Sequence, residues 1–240
     1  MKIAILADIH SNLYALKAVL ADAKSRGADR IVCAGDVVGY GPHPSEVIAL
    51  LQKEQIPTVM GNYDDAIGYE RFICGCDYKD PADMKLAEKS IEFTLKATSA
   101  EDKTFLRSLP PEYRIINDGL DIVIVHGSPV RLNEYLYADT PAQTLEEMLN
   151  KARADVLVCG HTHIPYHRKL SNGHVVNAGS VGKPKHGNPN ALYCILELKG
   201  RDVAAVFVEV PYDVERTARM IEQNEVLPNE FAEKLRLGTG

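Results

Sequence analysis

Apolar and polar positions follow two rhythms along this chain. Short runs dominated by apolar residues, at Lys2–Ala7, Arg30–Ala34 and Pro57–Met60, predict buried strands. Between them, Asn12–Lys24 carries Leu13, Leu16, Val19, Leu20 and Ala23 at helical spacing, with Ser11 or Asn12 as its cap. Pro44–Lys53 repeats that spacing with Val47, Ile48, Leu50 and Leu51. A β-α-β-α-β order predicts parallel strands joined by crossover helices. Gly68–Pro81 has no period and reads as a loop. Helices are predicted at Ala82–Ala97, Glu101–Leu109 and Pro141–Arg153, and strands at Tyr113–Asn117, Asp121–His126 and Asp155–Cys159. From Ile164 onward the pattern becomes strand-rich. Pro165–Leu170, His174–Asn177, Ala191–Leu198 and Val203–Val210 fit sequential antiparallel strands, with Ser171-Asn172-Gly173 and Lys199-Gly200 as turns. Helices at Asp213–Gln223 and Asn229–Leu237 end the chain. The sum is an α/β fold with mixed sheets and helices outside them.

Composition narrows this picture. The 240 residues, 45% of them apolar, suit one layered domain spanning 1–240, and no repeat or linker divides them. A net charge of −6 argues against a stable nucleic-acid partner, which calls for a basic face. It leaves room for a small anionic substrate, because bound cations reverse the local sign. The apolar run at the N-terminus stops at Asp8, and no later stretch reaches the roughly 18 residues that span a bilayer. The expectation is a cytoplasmic protein without a membrane partner; an oligomer stays open. Cys33, Cys74, Cys76, Cys159 and Cys194 are odd in number and scattered, which does not suggest a disulfide framework. Cys33 and Cys159 read as core thiols, and Cys74-Gly-Cys76 as a loop with two reduced thiols.

The chemistry lies where the strands end. Apolar runs lead into Asp8-Ile9-His10, Gly35-Asp36, Gly61-Asn62-Tyr63-Asp64, His126-Gly127 and Gly160-His161-Thr162-His163. Taken singly, each has a structural reading: a helix cap, a turn, a core histidine. Together they place charged and imidazole groups directly after buried strands, which is costly unless they are paired or bind metal. The crevice beyond strand carboxyl ends is also where open α/β sheets bind ligands. Two carboxylates, four imidazoles and one amide form an oxygen and nitrogen donor set suited to Mn, Fe, Co, Ni or Zn rather than to a thiolate zinc site. Seven donors are too many for one tetrahedral ion and suffice for two if one carboxylate bridges.

Asp8-x-His10, Gly35-Asp36-x4-Gly41, Gly61-Asn62-Tyr63-Asp64, His126 and Gly160-His161-Thr162-His163 resemble, in order, the five blocks of the calcineurin-like metallophosphoesterase superfamily. The stretches Asp36–Pro42 and Asn177–Gly182 resemble its small prokaryotic phosphodiesterase-like or diadenosine-tetraphosphatase-like branch. The resemblance implies a four-layer α/β/β/α sandwich with two mixed sheets. It implies two divalent metal ions, manganese favoured and Fe, Ni, Co, Zn or Mg possible. Asp8, His10, Asp36 and His163 would hold the first; Asn62, His126 and His161 would complete the second, with Asp36 bridging. It further implies hydrolysis of a small phosphorylated substrate, a phosphodiester or nucleotide, by a metal-bridging hydroxide. The alternatives are a degenerate metal-binding scaffold or a protein phosphatase.

The chain departs from the family at Tyr63. Many members have there a histidine read as the leaving-group acid, with Asp64 as its partner. Tyrosine, with an unperturbed pKa near 10, either donates a proton or only packs. His43 is a substitute candidate for that role. Arg131 and Tyr135 are candidate substrate contacts, and Lys183, Lys185 and His186 read as a surface loop. His167 and His174, flanking a hairpin, read as exposed.

Overall fold

A computed structural model describes residues 1–75, 77 and 80–240, so Cys76 of the close cysteine pair lies outside the described residues. Strand β1 (Lys2–Leu6) is buried on both faces because its alternate side chains find different partners. Ala4 and Leu6 point to one core, Ile3 and Ile5 to another. β1 pairs in parallel with β2 (Arg30–Cys33) after helix α1 (Leu13–Ser25) crosses over, as the alternation predicts.

Helices α2 (Pro44–Lys53), α3 (Asn62–Gly68), α4 (Pro81–Ala97) and α5 (Ala100–Ser108) follow. Then come β3 (Glu112–Asn117), β4 (Leu120–Val125), α6 (Ala142–Ala152), β5 (Val156–Cys159), β6 (Tyr166–Lys169), β7 (His174–Asn177), β8 (Ala191–Lys199) and β9 (Asp202–Val210). Helices α7 (Val214–Glu222) and α8 (Asn229–Leu237) close the chain. The strands form a four-stranded sheet, β2-β1-β8-β9, and a five-stranded sheet, β3-β4-β5-β7-β6, both mixed.

Three cores make four layers. Leu16, Val19, Val47, Ile48 and Leu51 of α1 and α2 cover the outer face of the first sheet, against Leu6, Tyr193 and Ile195. Ile3, Ile5, Ile122, Ile124, Val156, Val158 and Leu196 fill the space between the sheets. Leu145, Met148 and Leu149 of α6 cover the far face, on Val123, Leu157 and Val175. The result is the expected α/β/β/α sandwich, with α7 and α8 packed on Phe93 of α4 at one end.

Three expectations change. The C-terminal strands are two hairpins in different sheets: β7 joins β5 in parallel, whereas β8 pairs antiparallel with β1. The connection from Ala178 to Asn190 carries the chain between sheets, so sequence neighbours do not stay paired. Pro57–Met60 is no strand beyond a single bridge from Thr58 to Cys33. Pro57 has no N–H to give, and Met60 donates its own to Pro110. Gly61–Asp64 does not merely end a strand but opens α3, with Gly61 as its cap. Its start signal is the Asp64 carboxylate, which accepts the Gly61 N–H at 2.9 Å.

Candidate metal centre

The ends of β1, β2, β4 and β5, with the start of α3, deliver Asp8, His10, Asp36, Asn62, His126, His161 and His163 to one place, all buried. Delivery bends the backbone sharply. Asp8, His10, Asp36, His161 and His163 all have φ between 46° and 65°, the left-handed region disfavoured by side chains with a Cβ. Strain of this kind concentrates where function over-determines the backbone. The motif glycines allow close approach. A Cβ at Gly160 would lie 2.8 Å from Asp8 Oδ2, and one at Gly61 would overlap Asp36.

Two clusters result, Asp8–His10–His163 and Asp36–His126–His161. In the first, His10 Nε2 lies 3.3 Å from His163 Nε2, and His163 Nε2 lies 3.3 Å from Asp8 Oδ1. In the second, His126 Nε2 lies 2.9 Å from Asn62 Oδ1 and 3.2 Å from His161 Nδ1. Asp36 Oδ2 stands between them, 3.7 Å from His10 Nε2 and 3.5 Å from His126 Nε2. Its Oδ1 accepts the Tyr63 N–H at 2.8 Å, which fixes the carboxylate plane.

The outer partners define the protonation pattern. The Nδ1 atoms of His10, His126 and His163 face the carbonyls of Val38, Ala34 and Lys183 at 3.0, 2.9 and 2.6 Å. A neutral imidazole that donates from Nδ1 has only a lone pair at Nε2. Asn62 donates from Nδ2 to the Cys74 carbonyl, which turns its oxygen inward. Lone pairs therefore converge from several sides, and Asp8 Oδ1 has no hydrogen-bond donor. Burial keeps protons from solving this at the histidines. It holds His10 and His163 well below their usual range and pulls His161 down to about 2. Burial also pushes Asp8 up to about 7 and Asp36 well above the carboxylate range, with Asp64 adding to the rise at Asp36. Convergent lone pairs, neutral imidazoles and destabilised carboxylates fit divalent cations, whose charge reverses each of these penalties.

The Asn177–Gly182 stretch is the brace of the site. Asn177 Nδ2 donates to the Gly160 carbonyl at 2.6 Å, and Ser180 Oγ to the Asp8 carbonyl at 2.9 Å. It continues into Lys183, whose ammonium sits 4.2 Å from the centre of the Tyr40 ring. Lys183, half-buried, and Lys185, exposed, both line the cleft, as do Tyr40, Tyr137, Phe231 and Lys234. Tyr40 lies within the Asp36–Pro42 motif without being singled out by it, Tyr137 has no motif, and only the fold brings Phe231 and Lys234 of α8 over the site. The cleft has a volume of about 380 Å³.

Among the remaining candidates, Tyr63 and Tyr135 line the cleft. His43, Asp64 and Arg131 do not. His43 precedes α2 with its ring against Tyr14, 5.4 Å between centres. Asp64 Oδ1 accepts from Val37 N and Val38 N, and its Oδ2 from Gly61 N, so the carboxylate organises the loop that carries Asp36. The Arg131 side chain is exposed, and the residue contributes its carbonyl to a turn with Ser128. His167 and His174 are half-buried and face each other at 2.8 Å, not exposed as expected.

The domain model of the calcineurin-like phosphoesterase superfamily matches residues 1–201. The chain belongs to that superfamily. As a calcineurin-like phosphoesterase it is 34% identical to the protein MJ0912 of Methanocaldococcus jannaschii, over 98% of each chain. It is 26% identical to the phosphodiesterase YfcE of Escherichia coli, over 82% of this chain and 88% of that one. Among solved structures, a metallophosphoesterase from Sphaerobacter thermophilus superposes with a TM-score of 0.76 at 30% identity, covering 99% of both chains. The protein PH1004 from Pyrococcus horikoshii superposes with a TM-score of 0.83 at 24% identity, covering 99% of this chain and 98% of that one. The phosphoesterase therefore has the fold of its superfamily over almost its whole length. Among its described residues no helix is long and apolar enough to cross a membrane.

Proposed function

We propose that this chain is a hydrolase of small phosphate esters, phosphodiesters or nucleotides, that works with two divalent cations. Asp8, His10, Asp36 and His163 hold one; Asp36, Asn62, His126 and His161 hold the other. The observation that carries this reading is the position of Asp36 Oδ2, within 3.7 Å of a histidine Nε2 in each cluster. Manganese is the cation the family resemblance favours, and the oxygen and nitrogen donors are equally compatible with Fe, Ni, Co, Zn and Mg. Two such cations supply a hydroxide nucleophile near neutral pH and a counter-charge for the phosphoryl oxygens.

The chain's own groups do the rest. Tyr63 N–H holds the Asp36 carboxylate in one plane. Lys183, tied through its carbonyl to His163, brings positive charge to the same cleft. The Tyr63 ring packs edge-on to His10 and stands where a leaving-group donor belongs in the family pattern. The substrate partner is a small phosphorylated molecule. A cytoplasmic setting agrees with Cys33, Cys74, Cys159 and Cys194, all free thiols.

The test is hydrolysis of bis(p-nitrophenyl) phosphate, p-nitrophenyl phosphate and a dinucleoside polyphosphate by chelator-treated protein, then with Mn2+, Co2+, Ni2+, Zn2+ or Mg2+ restored. The expected result is no turnover without metal and recovery with Mn2+, with the diester or the nucleotide preferred over the monoester. No turnover with any metal would favour the scaffold reading. Equal turnover in chelator would remove the metal from the account.

A further inference from the structure

The two sides of the cleft differ in chemistry. On the His10–His163 side lies the ammonium of Lys183, over Tyr40. On the His161 side lies an aromatic series. The Tyr135 ring is 4.1 Å from the His161 ring centre to centre, and Tyr137 lies parallel to Tyr135 within 4° at 5.6 Å. Three rings in contact thus lead from a proposed metal ligand to the cleft mouth, where Tyr137 is 47% exposed.

The segment carrying the tyrosines has no helix or strand, yet it is pinned along its length. Val130 N and Arg131 N donate to Ser128 Oγ at 3.0 Å, Tyr166 OH to the Leu136 carbonyl at 3.0 Å, and Tyr137 N to Thr140 Oγ1 at 2.9 Å. Arg168 ties down the Ala138 and Thr140 carbonyls. Leu136, between the tyrosines, is buried in the α6 core. Tyr137, exposed and stacked on the half-buried Tyr135 of a pinned loop, is a pre-organised surface for another flat ring, because little entropy remains to be lost on binding.

We propose that Tyr135 and Tyr137 are the specificity wall of this cleft and stack a flat heteroaromatic ring, such as a nucleobase, carried by the phosphate ester. This rests on the phosphoesterase reading of the site. Phosphorus would then lie between the rings on one side and the Lys183 ammonium on the other. Esters with a ring are favoured over esters of plain sugars or alkyl alcohols.

The chain has no tryptophan, which gives a clean reporter. In Tyr137→Trp, adenosine 5′-monophosphate should quench the single indole saturably, whereas ribose 5-phosphate, with the same phosphate and sugar, should not. Readings taken on Mn2+-loaded protein immediately after mixing need no turnover. In Tyr137→Ala, and equally in Tyr135→Ala, the nucleotide should bind at least about fivefold more weakly than to wild type, which is the lower end of a stacking contribution, with ribose 5-phosphate unchanged. Tyr137→Phe should retain nucleotide affinity. Equal affinity of wild type for the two ligands, or an indole that ignores the nucleotide, would overturn the wall. A protein that binds the nucleotide through Tyr137 and hydrolyses nothing keeps the wall and loses the proposed function. Turnover with no preference for a ring loses the wall alone.

Discussion

At Asp64 both carboxylate oxygens are occupied by backbone: Val37 and Val38 N–H on one, Gly61 N–H on the other. The sequence pattern placed Asp64 beside the reacting groups, and in chain terms it is there. A strand-end motif identifies which residues meet, however, and does not say which way each side chain turns. The seven proposed ligands were legible for a physical reason, since a buried strand rarely ends on a charge without a partner. His43 and Arg131 were not separable in this way, because a polar loop residue reads the same facing solvent or facing a cleft. Asp64→Asn keeps the shape and turns an amide donor against backbone donors. A buried unsatisfied group costs about 1–3 kcal/mol, so the melting temperature should fall by about 2–12 °C. An unchanged melting temperature would mean the carboxylate does not hold the Asp36 loop.

Tyr63 supports a second prediction at this scale. If its hydroxyl protonates the departing oxygen, Tyr63→Phe should lose about 100-fold on an alkyl leaving group and little on p-nitrophenolate, which leaves unaided. Equal losses on both would reduce Tyr63 to packing against Tyr40 and Gly39.

Most elements lie within a residue or two of their periodic pattern, because alternation and helical spacing record which face is buried. Pairing was less legible. Nothing in the period of His174–Asn177 says that β7 will run parallel to β5, or in Ala191–Leu198 that β8 will cross to β1; these follow from the connection between them. Helix α3 was missed because seven residues are too few to show a period. The β6–β7 hairpin carries a pH dependence of its own. His167 and His174 share one contact at 2.8 Å, and burial lowers both, His167 further lowering His174. With folded values below the unfolded one near 6.5, the unfolded chain binds more protons, so stability should fall as pH drops below about 6.5. His174→Gln should lessen the fall in melting temperature between about pH 6.5 and 5 without abolishing it, because the buried His10, His161 and His163 contribute with the same sign. A variant with the wild-type slope would place that dependence elsewhere.

The sandwich brings the ends of strands from both sheets to a single edge: β1 and β2 from the first, β4 and β5 from the second. The seven side chains meet because the sheets face each other across the core of Ile5, Ile122 and Val156. Residues 202–240 lie beyond the matched superfamily domain, yet Phe231 and Lys234 of α8 line the cleft. Lys234 meets Asp83 of α4 at 2.9 Å across it. These contacts depend on packing between distant parts of the chain, and no local pattern announces them.

The two-cation centre underlies every role proposed for the cleft. Crystals soaked in Mn2+ and measured at the manganese absorption edge locate the ions without reference to activity. Two anomalous peaks are predicted, one among Asp8, His10 and His163 and one among Asn62, His126 and His161, with the Asp36 carboxylate between them. A single peak, or none at saturating Mn2+, would contradict it.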